Sequence, residues 1–292
     1  MNQHAFFIGC PVWACEHWRA SLYTAKARRH EWLEQYSAVF PTVEVNSTFY
    51  ALPSHETVQK WCDSTQPGFE FCFKFPKAMT HDLQLQNCEG HRNAFLKLLE
   101  IAAQTDRLGP AFLQLPPRFS PRSFFALEQF LSHWPNEFPV AVEVRHKDWF
   151  DEGSHEAKLN QLLEHLGMDR CLFDSRALFS RSPDDEIEKI SQGRKPRSPL
   201  RTTVTSQCPM VRIVGRNTEE QVHPWWTEWA DVIAIWIQQG LTPYVFTHAP
   251  DDRFAPDLGR LLWNMISERT EVEPMPKWLG LNEPAQRQQS LF

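Results

Sequence analysis

The sequence predicts a single-domain (β/α)8 barrel, and three observations carry that prediction. Apolar runs of strand length alternate with helix-period segments from end to end, the pattern of a parallel sheet with crossover helices. Eight such units follow one another, which favours closure of the sheet into a barrel, although an open doubly wound sheet alternates in the same way. The chain has 292 residues, enough for the roughly 250 that such a barrel uses as one unit, and no shift of composition marks a domain boundary.

In chain order the expected strands are Phe6–Cys10, Thr42–Asn46, Glu70–Lys74, Ala111–Leu115, Val140–Val144, Cys171–Asp174, Met210–Val214 and Tyr244–Thr247. Most are nearly continuous apolar runs, as expected where both faces of a strand are covered. The segments between them repeat at about 3.6 residues. Trp32, Leu33, Tyr36, Val39 and Phe40 make one apolar face; Leu159, Leu162, Leu163 and Leu166 make another. Trp229, Ile233, Trp236 and Ile237 form a third, and Leu258, Leu261, Leu262 and Met265 a fourth. Ser54, the pair Ser120-Pro121 and Pro256 have the chemistry of helix starts. Two stretches break the rhythm. Residues 175–207 are expected to form an inserted loop or lid on a barrel of residues 1–267, and residues 268–292 a flexible, proline-bearing tail.

Composition narrows the function. Hydrophobic residues at 42% and charged residues at 23% are those of an ordinary globular protein. A net charge of −6 gives no whole-molecule attraction to nucleic acid or an anionic membrane. Direct nucleic-acid contact would have to come from a local patch such as the basic run Arg194, Lys195, Arg197 and Arg201. Seven cysteines, an odd number in a long chain, point to a reducing compartment rather than to disulfides. No apolar run approaches the ~18 residues of a membrane span, and Met1–Phe7 lacks the pattern of a secretion signal, so the expected location is the cytoplasm.

Barrels of this kind carry their active sites at the C-terminal ends of the strands. There the sequence offers Glu44 and Asn46, Lys74, Gln114, Glu143 and Arg145, Asp174, Arg212, and His248. A charge inside an apolar strand is costly unless it is paired or used. Two readings remain open: a self-neutralising network that plugs the mouth, or a site for a ligand. In the second, Lys74, Arg145 and Arg212 suit a phosphate or carboxylate, so a small anionic or polyol ligand is expected. Glu44 and Glu143 would be acid–base groups if burial raises a pKa, and Lys74 a nucleophile if desolvated. Gln114 and Asp174 would orient the ligand, with Trp13 and Tyr50 as an aromatic wall. Glu44, Glu143, Asp174 and His248 also form a conceivable divalent-metal set. The sequence requires no metal or other cofactor. A retaining glycosidase of the usual barrel type is disfavoured, because strands four and seven end in Gln114 and Arg212 rather than in carboxylates.

On these residues the chain resembles the YecE-like family, the domain of unknown function numbered seventy-two. The matching stretches are Ile8-Gly9 with Trp13 and Trp18, then Val43-Glu44-Val45-Asn46-Ser47-Thr48-Phe49-Tyr50-Ala51-Leu52-Pro53. Next come Phe73-Lys74-Phe75-Pro76 with Thr80-His81, Leu113-Gln114-Leu115-Pro116-Pro117, Val142-Glu143-Val144-Arg145-His146, and Asp174-Ser175-Arg176. The resemblance implies a TIM-type barrel and supplies no activity. Many relatives end the last strand in an asparagine-containing motif; here Val245-Phe246-Thr247-His248 stands instead, so a role for His248 transfers less widely than one for Glu44, Lys74 or Glu143.

The chain ends Gln288-Gln289-Ser290-Leu291-Phe292. This resembles the short Gln-x-x-Leu-Phe peptide with which many bacterial proteins dock on the DNA polymerase sliding clamp. Leu291 and Phe292 would fill an apolar pocket while Gln288 fixes register. The alternative function is therefore a DNA-transaction accessory protein tethered by its tail.

Overall fold

Eight parallel strands follow one another: β1 (Phe7–Cys10), β2 (Thr42–Val45), β3 (Glu70–Phe73), β4 (Ala111–Gln114), β5 (Val140–Glu143), β6 (Asp169–Asp174), β7 (Met210–Val214) and β8 (Tyr244–His248). They come from a computed structural model that describes residues 5–282. Neighbours pair in the order β3-β2-β1-β8-β7-β6-β5-β4. The two ends of that order meet through the bridges Phe71–Leu108 and Lys74–Phe112, so the sheet closes into a TIM-type barrel. The largest departure from the expected strand bounds is at β6, which begins at Asp169 rather than Cys171.

Helices α1 (Trp32–Ser37), α2 (His55–Ser64), α3 (Glu89–Gln104), α4 (Phe124–Ser132), α5 (Ser154–Leu166), α6 (Glu186–Arg194), α7 (Glu219–Gln238) and α8 (Ala255–Ser267) follow their strands in turn. Their starts are set by local chemistry. Ser54 accepts a hydrogen bond from the Thr57 backbone at 3.2 Å and caps α2, while Pro256 occupies the first turn of α8. Gly167, at φ +63°, closes α5 in the left-handed conformation that costs glycine least. Gly9 meets a different demand, because a Cβ there would lie 2.1 Å from the Thr42 carbonyl oxygen where β1 runs beside β2.

Strand parity decides what fills the barrel. Phe7, Cys72, Phe112, Ala141, Cys171, Met210, Tyr244 and Phe246 form a closed interior cluster. The rings of Phe7 and Tyr244 stack at 4.5 Å. Each buried aromatic contributes ~1.5–3 kcal/mol. The polar strand ends stand one layer above this apolar floor, at the mouth of the barrel.

The stretch 175–207 is more ordered than a loop. It contains α6, whose start is capped by Asp185 accepting from the Glu188 backbone at 2.7 Å. Arg216, fully buried, binds Glu188 at 2.5 Å and Asp184 at 2.8 Å and so ties this helix to the end of β7. As far as the chain is described, the stretch after α8 makes defined contacts with the barrel. Trp263 donates its indole N–H to the Glu273 carbonyl, the Gly280 N–H bonds the Ser21 carbonyl, and Trp278 is buried beneath the Arg260 guanidinium. An indole is large enough to anchor a polar, proline-bearing segment against the barrel. Gln288, Leu291 and Phe292 lie outside the described residues. Among the described residues, no helix is long and apolar enough to cross a membrane.

Candidate functional site

Arg212, on β7, is the centre of the mouth. Its Nε and Nη2 donate to the two oxygens of Glu44 at 2.8 Å each, and its Nη1 donates to Glu143 at 2.7 Å. The other oxygen of Glu143 accepts from Arg145 Nε at 2.6 Å and from Gln114 at 2.8 Å. His248 donates to Glu44 at 3.3 Å. Glu44, Glu143 and Arg212 are each no more than 3% exposed. Arg212 also lies 4.5 Å over the ring of Phe112, so the charged layer rests directly on the apolar floor.

An acid–base role for Glu44 and Glu143 is conditional on burial raising a pKa, and the shifts run the other way. Burial does push both carboxyls up, but it is outweighed. The charges of Arg145 and Arg212 hold Glu143 at about 2, and Arg212 with His248 holds Glu44 well below the usual carboxylate range. Both remain anionic with every oxygen occupied, which suits them to fix Arg212 rather than to move protons. For His248, burial is the larger influence, lowers its pKa to about 4 and leaves it neutral.

Lys74 stands outside that network. It is 8% exposed, and among the described residues its amine has no hydrogen bond or ion pair. Its neighbours are rings, Phe49 at 4.5 Å and Phe112 at 5.3 Å. Burial and then the charge of Arg212 bring its pKa down to about 7. The amine opens on a cavity of about 570 Å³ whose lining includes Asn46, Tyr50, Gln114, Arg145, Arg212 and His248. Helix α6 spans the same cavity with Ile187 and Ile190, and Lys195 follows it. Burial, then Arg212, lowers Lys195 to about 8.

Two expected site residues are elsewhere. Asp174 has the opposite parity to Cys171, which faces the barrel interior, so it points outward to α7. There it accepts from the Trp229 indole at 2.8 Å and from Arg176 at 2.9 Å. The metal set that needed it is therefore not assembled, and among the described residues no three potential metal ligands stand together. Trp13 packs edge-on against Trp61 at 5.1 Å and against Phe71, away from the cavity. The basic run also divides. Arg201 pairs with Glu156 at 2.8 Å and Arg197 lies over Phe179, while Arg194 and Lys195 reach the mouth. Lys195, which sequence reasoning placed in a phosphate-contact run, is thus brought into the barrel site by the return of α6.

Fold and site together define a class: a TIM-type barrel whose C-terminal mouth holds an arginine-centred ion network beneath a cation-lined cavity. The chain belongs to the family described as Protein of unknown function DUF72, which it matches over residues 7–280. It is 37% identical to the UPF0759 protein YecE of Escherichia coli K12 over 88% of this chain and 91% of that protein. The UPF0759 protein YunF of Bacillus subtilis is 27% identical over 75% of this chain and 73% of its own length. Among solved structures, a DUF72 family protein of Enterococcus faecalis superposes with a TM-score of 0.69 at 15% identity, covering 91% of this chain and 99% of that one. One from Thermotoga maritima gives 0.68 at 21% identity, covering 91% and 100%. These two likenesses bear on the fold.

Proposed function

We propose that the protein holds a small anionic molecule, one bearing a phosphate or carboxylate group, in the cavity at the barrel mouth. An imbalance supports this reading. Lys74, Lys195 and the Nη groups of Arg145 bring N–H donors to one cavity with no protein acceptor among the described residues, while Glu44 and Glu143 are fully engaged by their own partners. The rim carboxylate of Asp252 offsets part of the surplus. A bound anion would satisfy those donors and restore the charge that burial disfavours on Lys195.

Inorganic phosphate is expected to raise the melting temperature beyond what chloride at equal ionic strength does, by the equivalent of ~2.7 kcal/mol at a hundredfold excess over Kd. Lys195→Met, which breaks no ion pair, is expected to lose most of that shift. Asp174→Ala is the contrasting variant. It leaves the Trp229 indole without its acceptor and should cost ~1–3 kcal/mol of stability, yet keep the phosphate shift intact. Equal shifts with phosphate and chloride would remove the proposal.

A further inference from the structure

We infer that Lys74 is a carbonyl-condensing amine, forming an imine with an aldehyde or ketone whose anionic substituent is held by Lys195 and Arg145. This deepens the anion-binding reading and rests on it. Lys74 lacks a carboxylate partner among the described residues. A lysine this buried ordinarily sits against a carboxylate. Two carboxylates are near at hand, Glu44 on the neighbouring strand β2 and Glu143 two strands away on β5, but the fork of Arg212 takes both. Arg212 matches a carboxylate with two N–H groups at once, which a lysine does not. The amine is left against Phe49 and Phe112, with its open side on the cavity.

The consequence is chemical. An ammonium in that setting is short of hydrogen-bond acceptors and is repelled by Arg212 and Arg145, while Glu44 and Glu143 attract it from behind their own partners. Burial therefore favours the neutral amine, which has a lone pair available. Lys195, which follows α6, brings a second amine to the same cavity and would face the anionic substituent.

In the proposed step the lone pair of Lys74 Nζ attacks the carbonyl carbon. An N–C bond forms as the carbonyl π pair moves to oxygen. Nitrogen loses one proton and oxygen gains one, giving the carbinolamine; as the C–O bond breaks the oxygen takes up a second proton and leaves as water, while nitrogen gives up its second proton and the C=N bond forms. One water is released and nothing is oxidised or reduced. The cavity is open to solvent, so water can carry both protons.

The test uses the full chain and pyridoxal 5′-phosphate purely as a probe, because it joins an aldehyde and a phosphate on one small ring. Substoichiometric probe is added, the imine is reduced with borohydride, and the modified lysine is located by peptide mass mapping. Pyridoxine 5′-phosphate, which has the phosphate without the aldehyde, serves as competitor. Lys74 is expected to be labelled at least ~10-fold faster than the exposed Lys60 and Lys189, with a rate that rises through pH ~7 rather than ~10, and to be protected by the competitor. Labelling of other lysines while phosphate still raises the melting temperature would overturn the imine and leave the anion site standing. Labelling of Lys74 without protection would keep the imine and remove the anion site. No labelling of Lys74 together with no phosphate shift would remove both.

Discussion

Arg212→Met is expected to lower stability by ~3–5 kcal/mol, because it leaves buried carboxylates without their main counter-charge. The two are not left equally. Glu143 keeps Arg145 and Gln114, whereas Glu44 keeps only the neutral His248 at 3.3 Å. Most of the loss should therefore trace to Glu44, and adding Glu44→Gln to the variant should recover part of it. The pH dependence follows with a definite sign. In the wild type both carboxyls sit below the ordinary 4.5, so their stabilisation is fully present above that value and is lost only as pH falls through the lower folded values. In the variant, burial without the guanidinium raises Glu44, and the folded state then binds protons before the unfolded state does. The gap between the two proteins should narrow as pH falls from 7 to 5. Urea midpoints at several pH values measure this, and a gap that stays constant would mean that orphaned carboxylates are not the cause.

That network clarifies what the mouth is built from. Taken alone, Glu44, Arg212, Glu143 and Arg145 are the self-neutralising structure that the sequence left open. Lys74 and Lys195 are not part of it. An ion network that holds its own members and leaves two amines facing a cavity is both things at once: a rigid platform and a surplus of positive charge above it. The outer wall of the site is α6, where Ile187 and Ile190 remain partly exposed and Arg216 anchors the helix that carries them.

Much of this was legible in the sequence. Strands buried on one face by the barrel interior and on the other by helices read as apolar runs, so the barrel could be counted out. Glu44, Lys74, Glu143 and Arg212 could be singled out because each interrupts such a run. Asp174 interrupts one too, and there the reasoning failed: its facing depends on parity, and only the interior placement of Cys171 shows that it turns outward. Trp13 follows β1 closely enough to reach the rim, but an edge-on partner in α2 draws it to the outside. The direction of the carboxyl pKa shifts was beyond the sequence for a sharper reason. Burial and ion pairing act in opposite directions, and which acid receives the fork of Arg212 is fixed by the closed barrel and not by spacing. Lys195 lies within the long insertion rather than at a strand end, and its place at the cavity follows from α6, which the buried Arg216–Glu188 pair ties to the end of β7.

Lys74→Met, in contrast to the arginine variant, is expected to stabilise the protein. A methionine retains most of the side chain's length, suits the space beside Phe49 and Phe112, and removes a charge that the fold does not pair. The lysine falls from 10.5 in the unfolded chain to about 7 when folded, which sets a ceiling of ~5 kcal/mol on the cost of its charge; relaxation and water entering the cavity should reduce the observed gain to ~2–4 kcal/mol. Below pH ~7 both states carry the proton and the whole cost is present. Between there and 10.5 the unfolded state binds the extra proton, so wild-type stability rises with pH and the advantage of methionine shrinks. Glu70 and Asp169, buried at the other end of the barrel, also titrate near 7, but they are common to both proteins and cancel in the difference. Denaturant melts of the pair at pH 6, 7.5 and 9 should show the variant ahead by most at pH 6 and by least at pH 9. A variant less stable than the wild type at pH 6 would show that Lys74 is a structural partner of Glu44 or Glu143, and would return the mouth to a purely self-neutralising network.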